Sequence, residues 1–368
     1  MYLGENRKKL GFGFMRLPHV GDEIDLEQVK KMVDLFLSRG FTYFDTAYVY
    51  DGGKSEEAMR EALVKRYPRD SFTIATKLPL WNAGTSFDDF RRLTDTSLQR
   101  LGVDYVDFYL VHNINNNKYE ECNVWEYMKE LKAEGRAKHI GFSFHGTPEL
   151  LEKVLSEHDE AEFVQLQINY NDWDSPNIAS GKCYEIARAH HKPVVIMEPV
   201  KGGALATLTD EVAAPFRALD PNASNASFAI RYAASLDGII AVLSGMSTLA
   251  QVEDNVSFMD DFKKLDDRER AAVAEVVENL AKVKTIPCTS CKYCVEGCPM
   301  SINIPGVISA LNVKYKFNNV SDAKRQLGFA TRDGGKPSDC VGCQACEGVC
   351  PQHLPIPEIM KEAAETLE

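Results

Sequence analysis

Eight short runs of β-branched and aromatic residues alternate with amphipathic segments across residues 10–258, and this rhythm predicts a (β/α)₈ TIM barrel. Two copies of one cysteine spacing follow the last of these segments. The chain has 368 residues, which is enough for one large and one small domain. The expected fold class is therefore α/β, with a barrel and a separate C-terminal domain.

The predicted strands are short and bounded by polar or glycine-containing segments. In chain order they are Leu10–Phe14, Phe41–Asp45, Phe72–Thr76, Tyr105–Val111, His139–Phe142, Phe163–Ile168, Val194–Met197 and Gly238–Val242. A doubly wound open sheet is the alternative architecture. No Gly-x-Gly-x-x-Gly follows the first strand, so the dinucleotide-binding fingerprint of that fold is missing.

The segments between these strands carry apolar residues at helical spacing. In Leu26–Ser38, for example, Val29, Val33 and Phe36 share one face. The other predicted helices of the barrel are Ser55–Arg66, Phe87–Leu101, Val124–Glu134, Pro148–Leu155, Asn177–His190, Ala223–Ser235 and Leu249–Phe258. Strands that alternate with such helices are typical of parallel sheets.

One more predicted helix, Asp266–Val283, ends shortly before the first cysteine of the duplicated spacing. We place the domain boundary there, with a barrel of residues 1–284 and a second domain of residues 285–368. The second domain contains two further helical patterns, Ile308–Tyr315 and Asp322–Leu327. We therefore expect it to be mainly helical rather than a sandwich of short strands.

Eight of the ten cysteines form two copies of the run C-x₂-C-x₂-C-x₃-C-P. Three thiolates of such a run hold one [4Fe–4S] cluster, and the fourth reaches the other cluster. The expected ligand sets are Cys288, Cys291, Cys294 and Cys350 for one cluster, and Cys340, Cys343, Cys346 and Cys298 for the other. Zinc sites use paired C-x₂-C units, and disulfide frameworks are typical of secreted chains, so both fit this spacing poorly. The second domain is thus predicted to be ferredoxin-like, while Cys122 and Cys183 are expected to be buried as small apolar residues.

The net charge of −12 argues against nucleic acid as a partner, because nucleic-acid affinity comes largely from neutralised phosphates. No segment approaches the roughly 18 unbroken apolar residues of a membrane span. Residues 1–10 lack the apolar core of a signal peptide. Together with eight thiolates reserved for iron, these features predict a cytoplasmic protein without membrane contact.

Four polar residues lie at or just beyond the ends of three consecutive predicted strands. They are Asp45, Tyr50, Lys77 and His112. In a (β/α)₈ barrel such residues converge on one mouth. A lysine that aspartate keeps charged would favour the phenolate of the tyrosine and lower its pKa, and the histidine would bind a substrate oxygen. Each residue alone has an ordinary structural explanation, but the set predicts a shared site that protonates a carbonyl oxygen as hydride reaches its carbon.

The sequence resembles the aldo-keto reductases over roughly residues 10–258. The resemblance rests on the run Asp45-Thr-Ala-Tyr-Val-Tyr50 followed by Ser55-Glu56, and on Lys77 and His112 directly after their strands. It implies that Tyr50 is the proton donor, that Lys77 and Asp45 activate it, and that His112 orients a small carbonyl or alcohol substrate. The whole chain is similar to a subgroup with a C-terminal ferredoxin-like extension.

The resemblance also implies a set of positions for NAD(P)H. They are Ser143, Gln165, Met197, Lys201, Gly202, Gly245, Ser247, Gln251 and Asn255. Ser143 and Gln165 match the residues that bind the nicotinamide carboxamide, and Met197 takes the place of an aromatic residue that stacks on the ring. Lys201 would supply a cation to a phosphate, and the backbone at Gly202 would approach it closely. The alternative is that Gly202 and Gly203 serve only to form a turn.

Three features separate the chain from the family pattern at the cofactor. Phe144 stands where asparagine is common, and Glu198 replaces a small polar residue near the diphosphate. The NADPH-using members carry Lys or Arg against the 2′-phosphate in the segment around Gly245 and Gln251, and this chain does not. Because a phosphate without its basic partners loses charge-assisted hydrogen bonds, we expect NADH to be favoured over NADPH.

These features predict an oxidoreductase whose two [4Fe–4S] clusters relay electrons to or from the barrel. A ferredoxin-like protein is the expected electron-transfer partner. One alternative is an electron-transfer or docking protein with a retired barrel, and another is a flavin-dependent reductase fed by the clusters. A third leaves the clusters purely structural.

Overall fold

The computed structural model describes residues 3–4, 8–82 and 86–368. Eight parallel strands close into a barrel, and a short antiparallel pair, β2 and β3, lies outside it. The strands β1 to β10 are Leu10–Gly13, His19–Val20, Glu23–Ile24, Tyr43–Asp45, Thr73–Pro79, Val106–Ile114, Ala137–Phe144, Phe163–Gln167, Val194–Met197 and Ile239–Ser244. Each barrel strand pairs with the next one along the chain, and β10 pairs with β1. The predicted (β/α)₈ barrel is thus confirmed and the doubly wound sheet is excluded.

Sixteen α-helices occur among the described residues. Named α1 to α16, they are Leu26–Ser38, Lys54–Met59, Phe87–Leu101, Lys118–Glu121, Val124–Ala133, Pro148–Glu157, Ser180–Ala189, Asp210–Leu219, Asn225–Ser235, Leu249–Met259, Asp267–Lys282, Tyr293–Glu296, Ile304–Phe317, Val320–Ala330, Ala345–Gly348 and Ile356–Leu367. A π-helical segment, Arg60–Val64, continues α2. No helix of the described part is long and apolar enough to span a bilayer.

Large apolar side chains fill the interior of the barrel. Tyr43, Ala75, Leu110, Phe163 and Val195 all belong to one buried cluster. Side chains two residues apart on a strand point to the same face. The residues two positions further along these strands therefore form the next layer at the carboxyl ends, and they are Asp45, Lys77, His112, Gln165 and Met197.

The chain divides into two compact units, Met1–Pro199 with Ala226–Asp267, and Val200–Asn225 with Arg268–Glu368. The first unit contains the barrel, where Cys122 and Cys183 are buried as expected. The second unit is built on α13, α14 and α16, whose core includes Ile308, Leu311 and Met360. Its mainly helical character agrees with the sequence, while the boundary between residues 284 and 285 stays a prediction.

Candidate active site and cluster-binding cysteines

Lys77 connects two of the predicted catalytic residues. Its ammonium donates hydrogen bonds to Asp45 Oδ1 at 2.6 Å and to the carbonyl oxygen of Thr46 at 2.7 Å. It also lies 3.3 Å from the hydroxyl oxygen of Tyr50. Asp45 and Lys77 are only 3% and 1% exposed, so this ion pair is almost wholly removed from water. The strand ends of β4 and β5 thus bring the phenol, the ammonium and the carboxylate together.

His112 completes the group from β6. Its ring centroid is 5.9 Å from that of Tyr50 with the planes at 82°, and 4.9 Å from that of Trp81. His112 is buried, and its Nδ1 has no hydrogen-bond partner among the described residues. All four predicted residues therefore converge at one end of the barrel.

Burial dominates the ionisation of this group. It raises the pKa of Asp45 despite the attraction of Lys77, and it lowers the pKa of His112 well below its ordinary value, with Lys77 adding to that shift. Burial also disfavours the charged form of Lys77, but Asp45 and Tyr50 outweigh it and raise the pKa of this lysine. At neutral pH the site therefore holds a charged lysine and a neutral histidine.

The pKa of Tyr50 corrects a prediction made from the sequence. Lys77 does favour the phenolate, as expected, but burial of the hydroxyl is the larger effect and the pKa of Tyr50 is raised. A neutral phenol in a poorly solvated site resists ionisation until an acceptor takes its proton. Without such an acceptor, the Tyr50 hydroxyl therefore stays protonated.

The loop that carries Tyr50 is held from both ends. The Thr46 and Ser55 hydroxyls lie 2.8 Å apart, and Ser55 donates to the carbonyl oxygen of Phe14 at 2.9 Å. Residues 51–53 all have positive φ, which makes the tight turn after Tyr50. Ser55 of the family-like motif is fully buried and therefore holds the loop in place.

A buried carboxylate also supports the loop that carries Tyr50. Glu56 accepts a hydrogen bond from the Thr76 hydroxyl at 2.7 Å and lies 3.4 Å from Arg100, which donates to the carbonyl oxygen of Tyr48 at 3.0 Å. A Cβ added to Gly53 would lie 2.6 Å from the guanidinium carbon of Arg100. The sequence did not point to Arg100, because its partners lie over 40 positions away along the chain.

Two of the predicted carboxamide-binding residues face each other across β7 and β8. Ser143 and Gln165 are paired in register, and each is 1% exposed. The Ser143 hydroxyl accepts the backbone N–H of Asn113 at 2.8 Å. Gln165 Oε1 is buried without a hydrogen-bond partner in the part of the chain that the structure describes. A buried amide oxygen without a partner fits the amide group of a nicotinamide ring.

Of the remaining predicted cofactor residues near β10, Gly245 and Ser247 lie in the loop from β10 to α10, whereas Gln251 and Asn255 lie within α10. The backbone N–H of Ser247 donates to Gln251 Oε1 at 2.7 Å, and Asn255 is buried and donates to the Ser244 hydroxyl at 2.7 Å. Gly245 and Gln251 are exposed. The loop is therefore closed by its own side chains, and the role of Asn255 includes holding it in place.

Arg16 is a cation that the sequence did not reveal at this loop. Its carbonyl oxygen accepts the Ser247 hydroxyl at 2.6 Å, and a Cβ on Gly245 would lie 3.3 Å from its side chain. Its guanidinium is 3.4 Å from Glu198 at the end of β9. The carboxylate near the expected diphosphate position is thus partly balanced by an arginine after β1. Its position after a strand end was the available signal.

The remaining predicted cofactor residues lie in two places. Met197 is the last residue of β9. Lys201 and Gly202 begin the 3₁₀ segment Lys201–Ala206 of the second compact unit, and both have positive φ.

His145 is a further residue at the same end of the barrel. It follows β7 directly and lines a cavity of about 380 Å³ with Phe144, Gln167 and Cys183 among others. It also contributes to the lowered pKa of His112. The strand-end rule that found His112 applies equally to His145, so a signal was present in the sequence.

Two cavities of the second compact unit are each lined by four cysteines. The first cluster cavity, of about 330 Å³, is lined by Cys288, Cys291, Cys294 and Cys350. The second cluster cavity, of about 350 Å³, is lined by Cys298, Cys340, Cys343 and Cys346. Each takes three cysteines from one run and the fourth from the other, as the spacing predicts. Four thiols around one apolar cavity fit a [4Fe–4S] cluster.

Comparisons with known proteins give one assignment for each part of the chain. Residues 9–278 match the model of the aldo/keto reductase family, and residues 287–354 match that of a 4Fe-4S dicluster domain. L-Galactose dehydrogenase of Arabidopsis thaliana is 24% identical over 298 residues, which cover 75% of this chain and 92% of that protein.

Two further similarities differ in extent. A probable aldo-keto reductase of Glycine max is 32% identical over 175 residues, or 45% of this chain. The chain spans about half the length of that relative, 48%. The structure of an aldo-keto reductase from Klebsiella pneumoniae in complex with NADPH has a TM-score of 0.60 at 21% identity, and covers 73% of this chain and 90% of its own. At that identity the structural likeness supports the fold.

Proposed function

Since the chain belongs to the aldo/keto reductase family, we propose that its barrel interconverts a small carbonyl compound and the corresponding alcohol. The hydrogen-bonded contact of Lys77 with Asp45 and Tyr50 carries this proposal. Such a contact has little value for stability alone, because burying an ion pair costs several kcal/mol per ion in desolvation. The contact does place the Lys77 cation beside the Tyr50 phenol, which becomes negatively charged when it donates its proton.

The proposed chemistry assigns one task to each residue. Bound NAD(P)H supplies the hydride to the carbonyl carbon. Tyr50 donates its proton to the carbonyl oxygen, so that hydride and proton together give the alcohol. Lys77, 3.3 Å from the hydroxyl, stabilises the phenolate left behind, and Asp45 holds Lys77 charged and in place. Neutral His112 donates a hydrogen bond to the same oxygen and orients it.

We assign the nicotinamide carboxamide to Ser143 and Gln165, because both are buried and Gln165 Oε1 lacks a partner within the described residues. The segment of Gly245, Ser247 and Gln251 supplies no cation for a 2′-phosphate. Arg16 adds one positive charge nearby, but Glu198 offsets it. We therefore propose NADH as the favoured nucleotide. Titration of the protein with both nucleotides tests this, and much tighter binding of NADPH would contradict it.

The C-terminal cysteines are proposed to hold two [4Fe–4S] clusters in the two cluster cavities. Bound clusters supply one-electron transfer, which the barrel residues alone cannot provide. We propose that this unit exchanges electrons with a ferredoxin-like partner in a reducing compartment, the cytoplasm. Anaerobic purification followed by iron and sulfide analysis tests cluster binding, and zinc in place of iron would contradict it.

Tyr50→Phe tests the proposed activity. The variant keeps the ring beside Lys77 and removes only the transferable proton. We expect reduction of small aldehydes to fall by at least 10²-fold, the scale of general acid catalysis, while nucleotide binding is retained. Tyr48→Phe is the matched control, because it removes a tyrosine hydroxyl from the same loop and leaves the Tyr50 proton in place. Equal activity of both variants would favour a retired barrel.

A further inference from the structure

The internal repeat of the second unit extends beyond its cysteines. Lys292 and Gln344 each follow the second cysteine of their run, have φ of 67° and 62°, and precede the short helices α12 and α15. Ile304 and Ile356 each lie six positions after the last cysteine and begin α13 and α16. The two cluster cavities can therefore be compared position by position.

The two cavities differ at three equivalent positions on their rims. The first cluster cavity is lined there by Thr289, Lys292 and Gln352. The second cluster cavity has Val341, Gln344 and Met300 at the same places. Lys292 is the charged side chain among these six, and two of the three polar residues of the first rim are replaced by apolar ones in the second. At each of the three positions, the residue of the first cluster cavity is more polar or more positively charged than its equivalent in the second.

This asymmetry acts on the reduced form of each cluster. Gaining an electron adds one negative charge, which a nearby ammonium and hydrogen-bond donors stabilise. An apolar rim disfavours the added charge because it lowers the local dielectric. Lys292 is solvent-exposed, so water screens part of its effect. The sign of all three contributions is nevertheless the same.

From these differences we propose that the cluster in the first cluster cavity has the higher reduction potential and collects the electrons of the pair. One electron leaves the reduced cluster of the second cavity, which is oxidised by one unit, and reduces the cluster of the first by one unit. A one-electron carrier protein replaces the lost electron, and no proton moves. Lys292 is the residue that contributes most to the difference.

The wall between the cavities suits this transfer. Ile304 and Ile356 each line both cavities and are 2% and 1% exposed. Two buried aliphatic side chains thus border both sets of cysteines. Electrons can pass between these sets without a solvent-exposed step.

The inference rests on the proposed cluster ligation and not on the reaction of the barrel. Potentiometric titration of the anaerobic holoprotein, followed by electron paramagnetic resonance, tests it. The wild type should show two separated reduction steps. Lys292→Gln should lower the upper step alone, and Gln344→Lys should raise the lower step alone, because each changes one cavity. Iron and sulfide contents equal to the wild type show that the clusters of a variant are intact, whereas a wild-type protein without iron and sulfide would refute ligation separately.

Lys361→Gln is the charge-matched control. Lys361 is exposed on α16 and lines neither cavity, so its loss should move neither step. Coincident potentials in the wild type would overturn the proposal. So would a shift of the lower step in Lys292→Gln, or equal shifts in the Lys292 and Lys361 variants. The reciprocal Gln344→Lys variant keeps the test decisive if Lys292→Gln assembles poorly.

Discussion

The ammonium of Lys77 lies 2.6 Å from Asp45 Oδ1, with both side chains almost wholly buried. Asp45 Oδ2 has no partner among the described residues, so the carboxylate is satisfied mainly through this one contact. Removing one member of a buried pair leaves the other charged and unsolvated. The pair therefore ties the stability of the barrel to the residues proposed for proton transfer.

Asp45→Asn should destabilise the protein by about 3–5 kcal/mol, because it leaves Lys77 as an uncompensated buried cation. The pKa of Lys77 should fall, since Asp45 is the main group that raises it. Urea unfolding of the two proteins at pH 7 measures the loss. Glu61→Gln, which breaks the exposed contact with Lys65, is the control and should change stability little. Equal losses in both variants would show that the buried pair has no special weight.

The rate of aldehyde reduction should not fall as the pH rises from 7 to 9. The reaction needs protonated Tyr50, and burial raises the pKa of this residue above its ordinary value near 10. Tyr50 is therefore protonated throughout the range from pH 7 to 9 and loses its proton only as the pH passes the raised pKa. Steady-state rates at saturating nucleotide measure this, and a decline centred near pH 8 would contradict it.

Lys77→Met should move the same pH profile to still higher pH and lower its plateau. Lys77 is the largest influence that lowers the pKa of Tyr50, so its loss makes the phenol harder to ionise. The phenolate formed on proton donation also loses its neighbouring cation, and we expect turnover at saturating substrate to slow by about 10²-fold or more. A variant that turns over as fast as the wild type would place Lys77 outside the chemistry.

His112 should make the folded state sensitive to acid. Its pKa is well below the ordinary value near 6.5 because burial disfavours the imidazolium. The unfolded chain binds a proton at this residue below about pH 6.5 and the native chain does not, so stability is complete above that pH and falls below it. Between pH 7.5 and 5.5, His112→Gln should lose less stability than the wild type. The difference should be about 1.4 kcal/mol for each pH unit below about 6.5, the ordinary pKa of the unfolded residue. Thermal unfolding at both pH values measures this, and parallel losses would contradict it.

Gly53→Ala should impair catalysis from outside the chemistry. The residue has φ of 96°, and a methyl group would meet the Arg100 guanidinium at 2.6 Å. We expect a cost of about 1–3 kcal/mol from backbone strain, together with a displaced Tyr50 loop and slower turnover. Gly135→Ala is the matched control, since Gly135 has φ of 75° and no neighbour within 4 Å. If both variants lose activity equally, the contact with Arg100 is unimportant.

The fold was predictable because barrel strands are buried and leave a simple pattern. Helix Leu26–Ser38 and strand Val194–Met197 have the predicted bounds. Five of the sixteen helices were missed, of which α4, α12 and α15 have only four residues each and the other two are longer. Asp210–Leu219 contains Pro215, which reads as a helix breaker, although Thr209 provides a capping hydrogen bond. Ile356–Leu367 has a clear helical stripe, so its signal was present in the sequence.

The candidate site was predictable only where position along a strand determines it. The strand-end rule located Asp45, Lys77 and His112, because parallel strands deliver these residues to one rim. Arg100 acts through partners far away in the chain, which no local spacing reveals. Arg16 lies shortly after β1, where the same rule could have pointed to it, but its contact with Glu198 is visible only in the fold. The direction of the Tyr50 pKa depends on how neighbouring side chains exclude water, and that becomes visible only in the folded structure.

Transfer of deuterium from the cofactor tests the central claim most directly. The holoprotein would be mixed with NADH deuterated at C4 on the transferred face and with a reactive small aldehyde, and the alcohol analysed by mass spectrometry. We predict one deuterium on the carbinol carbon, in a product that Tyr50→Phe forms at least 10²-fold more slowly. An alcohol whose carbinol hydrogen comes from solvent, or one formed equally fast by Tyr50→Phe, would contradict the account.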